Sequence, residues 1–118
     1  MMRAELKSLH SPDIELGTFW PEDIESFRFL LQASIGPEGA ESSDSFDFEV
    51  CTPKWLLTNR DRADIIFGRH LLLVFEYDIH ALESRIRQLC VRTLGESWNE
   101  VATKLARFGK WEFEDYRP

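Results

Sequence analysis

The sequence predicts an α+β fold: a mostly antiparallel sheet of four to five strands with two C-terminal helices packed on one face. Three observations support this prediction. Apolar and polar residues alternate along three segments in the first half of the chain, as in strands with one buried face. Two segments of the second half carry apolar residues at helical spacing. With 118 residues, of which 43% are hydrophobic, the chain is expected to form a single domain over residues 1–118.

The first three predicted strands cover residues 3–10, 26–35 and 45–51. The last two are separated by a polar, glycine-containing loop, residues 36–44. This loop is too short for a crossover helix, so the two strands are expected to pair antiparallel. Their apolar residues then share the core face of the sheet. Arg28, Gln32, Asp47 and Glu49 lie together on the opposite face.

The middle of the chain is predicted to add one short helix and two more strands. Thr52 is an N-cap residue followed by Pro53, so a short helix is expected over residues 54–58. Residues 65–67 are interpreted as a short extra strand. Residues 71–77 are apolar on almost every position, which is typical of a central strand that is covered on both faces.

The C-terminal part of the chain is predicted to form two helices. The first begins after Asp78 and runs to residue 94, where a glycine follows. Ser97 and Glu100 form a capping box for the second helix, which is expected to end at Gly109. Residues 111–116 alternate in polarity and are interpreted as an edge strand or an ordered tail.

The net charge of −7 is concentrated in one part of the chain. Residues 13–50 contain ten acidic residues and one basic residue, whereas the rest of the chain holds 11 acids and 13 bases. Such a surface disfavours nucleic acid as a partner and suits a cationic protein. Composition alone favours the simpler interpretation that the acids keep the protein soluble. No apolar run is long enough to span a membrane, and the first residues do not resemble a signal peptide. We therefore expect a cytoplasmic protein without a membrane partner.

Neither catalysis, a cofactor nor a metal site is predicted. Cys51 and Cys90 are expected to be reduced, and the three histidines are too scattered to complete a zinc site. No strand is followed by a glycine-rich phosphate loop, and no serine lies in a Gly-x-Ser-x-Gly turn. Asp47 and Glu49 are neighbouring acids on an open sheet face, where carboxylates are usually solvated. These observations favour a binding module.

Several segments of the sequence, in order along the chain, resemble the immunity protein 8 family of bacterial polymorphic toxin systems. These segments are AELKSLHSPD, FLLQASIGPEG, ESSDSFDFEVCTPKWL, LLLVFEYD, WNEVATKL and WEFEDY. The resemblance implies an α+β antitoxin that binds the C-terminal domain of a cognate secreted toxin and blocks it. It carries no residue-level motif, so the interface has to be inferred from the residues themselves.

We expect the acidic face and loop to contact a basic surface of the toxin, with aromatic residues as anchors. The candidate residues are Glu38, Glu41, Asp44, Asp47, Glu49, Trp111 and Tyr116, with Leu30 as a further anchor. Three other roles remain open at this point. One is an adaptor or regulatory module whose partner is not a toxin. Another is a small enzyme that uses the carboxylates, which a carboxylate with a raised pKa in a deep pocket would favour. The third is a homodimer that buries the open sheet face, which outward-facing Leu72 and Val74 would favour.

Overall fold

A computed structural model describes residues 1–116, with an antiparallel three-stranded sheet at the centre of the fold. Its strands are β1 (Met2–His10), β2 (Arg28–Pro37) and β3 (Asp44–Cys51). The β2–β3 hairpin places Leu31 opposite Phe48, and every second residue of the two strands is buried. The three predicted strands and their antiparallel hairpin are therefore confirmed.

Short strands extend this sheet at both edges. They are β4 (Leu71–Leu73), β5 (Leu94–Gly95) and β6 (Lys110–Trp111). β5 pairs with the start of β1, while β4 and β6 pair with opposite ends of the outer edge of β3. The resulting strand order is β4-β3-β2-β1-β5, and β6 pairs with β3 along the same edge as β4. Because β4 runs parallel to β3, the sheet is mixed, and its six strands exceed the predicted four to five.

Two of the predicted strands are wrong. The apolar run of residues 71–77 contributes only three residues, and these form an edge strand. Pairing stops where the Val74 amide donates to the carbonyl oxygen of Cys51, because β3 ends there and helix begins at the next proline. Phe75 is consequently exposed. Residues 65–67 form neither a strand nor a helix.

The helices begin where their capping residues predict. They are α1 (Pro53–Asn59), α2 (Ile79–Arg92) and α3 (Trp98–Leu105). The side chains of Thr52, Asp78 and Ser97 each accept a hydrogen bond from a backbone amide in the first turn of the helix that follows. α2 ends two residues before the predicted position, since the next residues become extended and pair with β1 as β5.

One hydrophobic core joins the sheet to α2 and α3. α2 contributes Leu82, Ile86 and Cys90, and α3 contributes Val101 and Leu105. These side chains pack with the inner-facing residues of the three central strands. We call this the helix side of the sheet. The residues that alternate with the core positions on β2 and β3 are partly exposed, and they form the open face.

Candidate functional site

The open face carries two of the predicted acidic residues, Asp47 and Glu49 of β3. Each is partly exposed. Asp47 lies in register between Gln32 of β2 and Lys110 of β6, and Glu49 lies beside Leu30 of β2. The predicted grouping of these side chains on one face is thus present in the sheet.

Basic side chains compensate Glu49. Arg28 Nε donates to Glu49 Oε1 at 3.1 Å, and Arg60 Nη2 lies 4.0 Å from the same oxygen. Arg28 also approaches Asp13 Oδ2 at 3.7 Å. Because these ion pairs satisfy Glu49, the open face is less acidic at this position than the sequence suggests.

The hairpin loop, residues 38–43, is the acidic end of the molecule's open face. Glu38 and Glu41 are both exposed there. Lys7 of β1 supports the turn, because its ammonium group donates to two backbone carbonyl oxygens of the loop and its flanks. The two glutamates are therefore presented to solvent by a braced turn.

Asp44 lies on the helix side, away from the other four acidic candidates. Its Oδ2 accepts hydrogen bonds from the indole Nε1 of Trp98 at 2.7 Å and of Trp111 at 2.9 Å. The carboxylate therefore connects α3 and β6 to the start of β3. Its hydrogen-bonding capacity is used within the fold, which gives Asp44 a structural contact.

The two aromatic candidates differ in their surroundings. Trp111 is half-buried and stacks on Phe46, with ring centroids 6.4 Å apart and an interplanar angle of 9°. Tyr116 is exposed and packs edge-to-face on Phe113 at 5.7 Å. Of these two residues, Tyr116 presents the larger free surface.

One prominent surface feature was not predicted from the sequence. We call it the exposed apolar segment, residues 57–75. Six large apolar side chains of this segment are exposed: Leu57, Ile65, Ile66, Phe67, Leu73 and Phe75. Ile65 is 90% exposed and Phe67 is 91% exposed. The sequence signal was three consecutive bulky apolar residues between charged ones, and it was interpreted as a strand. Exposed large apolar side chains that are concentrated in one segment indicate a candidate interaction site.

The exposed apolar segment adjoins the open face. In the parallel β3–β4 register Leu71 lies opposite Glu49 and Leu73 lies opposite Cys51, so both leucines are on the open-face side. The hairpin loop is at the other end of β3, about 25 Å away at the usual rise of a strand. A standard interface of about 800 Å² per partner is wide enough to cover both ends.

Side chains with reactive or metal-binding chemistry are buried or scattered. Burial raises the pKa of the Cys51 thiol, and it raises the pKa of Cys90 to about 11, so both thiols stay protonated near neutral pH. Within residues 1–116, no group of three or more His, Cys, Asp or Glu side chains is placed to hold a metal ion. No helix in this range is long and apolar enough to cross a membrane.

The residues proposed to favour a homodimer do not face outward. Leu72 and Val74 are partly buried and pack against the core. Their orientation follows from the register, since Leu72 pairs with the buried Val50. The reason that the sequence offered for a dimer through the open face is therefore wrong.

Exposed apolar side chains together with exposed charged ones are typical of a protein-binding module. A comparison with protein families identifies which kind. The chain matches the family described as Immunity protein 8 over residues 4–116, and it belongs to that family. No curated protein and no solved structure shows a significant match to it.

Proposed function

We propose that the chain is an immunity protein that binds the toxic domain of a cognate secreted toxin and neutralises it in the cytoplasm. Membership of the Immunity protein 8 family supports a toxin as the partner. The observation that carries the proposal is the exposed apolar segment, where Ile65 and Phe67 are almost fully exposed. The proposed role is stoichiometric binding without catalysis.

The exposed apolar segment would supply the anchors of the interface. Burying a Phe or Ile side chain stabilises a complex by about 1.5–3 kcal/mol, so Ile65 and Phe67 together provide a large part of a useful affinity. Leu73 and Phe75 on the adjoining edge would extend the buried area. Charged side chains alone give less, because exposed ion pairs contribute little.

The acidic residues would act mainly on the rate of association. Glu38 and Glu41 on the hairpin loop are exposed. Asp47 lies next to Lys110 in register but, unlike Glu49, forms no ion pair with a residue of the range 1–116. Carboxylates held on a braced turn and a sheet attract a basic toxin surface before contact. Fast association suits an antidote that has to act before the toxin does damage.

The proposal is tested by co-expressing the chain with the C-terminal domain of a large toxin encoded beside it. Cell survival and a co-purified complex are the expected results for the native chain. Phe67→Ser is expected to weaken the complex about 30-fold, the effect of losing an anchor of roughly 2 kcal/mol. Binding is measured with the purified proteins by calorimetry.

Val91→Ser is the matched control. Val91 is also an exposed apolar residue, but it lies on α2, outside the proposed interface. This variant should bind and protect as the native chain does. Failure of the native chain to protect or to bind would refute the immunity role. Equal weakening by the two variants would instead refute the apolar segment as the anchor.

A further inference from the structure

A cationic cleft of about 740 Å³ lies on the helix side, between α2, the end of α3 and β4. We define it by five basic side chains that line it: Arg69, Arg85, Arg92, Lys104 and Arg107. None of the residues that line it within residues 1–116 is acidic. In a chain with a net charge of −7, this concentration of positive charge is a local exception.

Three of these cations have no internal partner among the described residues. Arg69 pairs with Glu114, and Lys104 lies 3.5 Å from Glu100 and donates to a backbone carbonyl. The side chains of the other three form no ion pair or hydrogen bond with any residue of the range 1–116: Arg85, Arg92 and Arg107. Their guanidinium groups are available to an external anion.

Helix ends explain only part of this arrangement. Arg92 and Lys104 lie in the last turns of their helices, where a cation complements the helix dipole. Arg85 lies in the middle of α2 instead, two helical turns before Arg92 and on the same face of the helix. Arg69 comes from the loop before β4. Cations from three separate elements therefore converge on one cavity.

The floor of the cleft is apolar. It is formed by Phe48, Leu72, Ile86, Leu89 and Phe108. A cavity of this volume lies within the range of about 300–1,000 Å³ that small-molecule sites occupy, and such sites combine apolar walls with a few polar groups. The cleft therefore has room and surface for an organic body as well as for charged groups.

His70 adds a second, independent feature of the cleft. It lines the cavity and has a φ of 71°, a left-handed conformation that is unusual for a residue with a side chain. Its Nε2 is shielded from water and has no hydrogen-bond partner within residues 1–116. Strained residues and unpartnered polar atoms concentrate at binding sites.

We propose that the cationic cleft binds an organic phosphate, a small molecule that carries phosphate groups on an apolar or aromatic body. The forked N–H donors of arginine match phosphate oxygens, and several unpaired arginines match more than one negative charge. The apolar floor holds the body of the ligand. This site is separate from the open face, and it is tested without any toxin.

The test uses ADP and inorganic pyrophosphate as probes, each titrated into the full chain by calorimetry. ADP is expected to bind, and pyrophosphate to bind about tenfold more weakly, because it gains nothing from the apolar floor. Raising the salt from about 50 to about 300 mM is expected to weaken both. In NMR spectra, ADP should shift the amide signals of Leu72, Leu89 and Phe108.

The variant Arg85→Gln/Arg92→Gln is expected to weaken ADP binding at least about tenfold, since each lost contact is a charge-assisted hydrogen bond. Arg3→Gln/Arg62→Gln is the control, because it removes the same charge from exposed positions outside the cleft. It should leave binding within about twofold. No saturable binding of either probe, or equal weakening by the two double variants, would overturn the proposal.

Discussion

The two sides of β3 differ in whether the charged side chains near them are paired with opposite charges. On the open face Glu49 is compensated by Arg28 and Arg60, and Asp47 lies beside Lys110. On the helix side, Phe48 of the same strand forms the floor of the cationic cleft, whose arginines are largely unpaired. The acidic segment of the sequence therefore contains a partly neutralised surface, whereas unpaired positive charges are concentrated in one cleft of the described structure.

The net charge of a sequence segment therefore does not give the electrostatic field at any one place on the folded surface. The ten acids of residues 13–50 are spread by the fold over both faces of the sheet, a loop and a long connection. The cations of the cleft are spaced along the chain from Arg69 to Arg107 and meet only through tertiary packing. The charge pattern of a sequence is thus a better guide to the kind of partner than to the place on the surface where that partner binds.

The largest loss of stability is expected for Asp44, on the helix side, and almost none for Asp47, on the open face. Asp44→Ala removes the acceptor of the Trp98 and Trp111 indoles, and each unpaired donor costs about 1–3 kcal/mol, so the free energy of unfolding should fall by about 3 kcal/mol. The measurement is urea unfolding followed by tryptophan fluorescence. Asp47→Ala, on the open face, should change stability by no more than about 0.5 kcal/mol. Similar losses for the two variants would show that Asp44 is no more structural than Asp47.

An intermediate effect is expected at the hairpin loop. Glu38→Gln/Glu41→Gln should slow association with the toxin domain about threefold to tenfold at low salt, because two exposed carboxylates would no longer attract the basic surface proposed for the toxin. Stopped-flow fluorescence over a range of salt concentrations measures this rate. The dissociation rate should stay nearly constant. If the association rate and its salt dependence did not change, the hairpin loop would have no role in attracting the toxin.

The smallest effect is expected at Glu49. Its ion pairs with Arg28 and Arg60 lie at the surface, where such pairs contribute about 0–1 kcal/mol, so Glu49→Gln should lower stability by less than about 1 kcal/mol. Thermal unfolding at low and high salt measures this change. The affinity for the toxin should also change little, since the charge is already compensated. A large loss of affinity would place Glu49 in direct contact with the toxin.

Local signals account for the parts of the fold that were predicted from sequence. Alternation identified the three central strands, and the side chains of Thr52, Asp78 and Ser97 identified where helices begin. Residues 71–77 were mispredicted because an apolar run does not reveal whether a neighbouring strand is long enough to pair with it. β3 ends at Cys51, so residues 74–77 pair with no strand in the described part of the chain.

The proposed binding surface was predicted only in part. Glu38, Glu41, Asp47 and Glu49 lie on the surface expected for them, because alternation and turn residues fix their placement. The position of Asp44 on β3 also follows from alternation. Its contacts with the indoles of Trp98 and Trp111, however, depend on how α3 and β6 pack. The exposed apolar segment was missed, since apolar residues are assigned to a core unless the missing partner strand is known.

Hydrogen–deuterium exchange of the chain, free and in complex with the toxin domain, is the sharpest test of the proposed interface. Because residues 61–69 form no helix or strand and are exposed, their amides should exchange fast in the free chain. In the complex, we expect strong protection over residues 57–67 and 73–75, weaker protection of the hairpin loop, and none over α2 and α3, which line the cationic cleft opposite residues 68–72. Protection confined to α2 and α3 would refute the proposed interface.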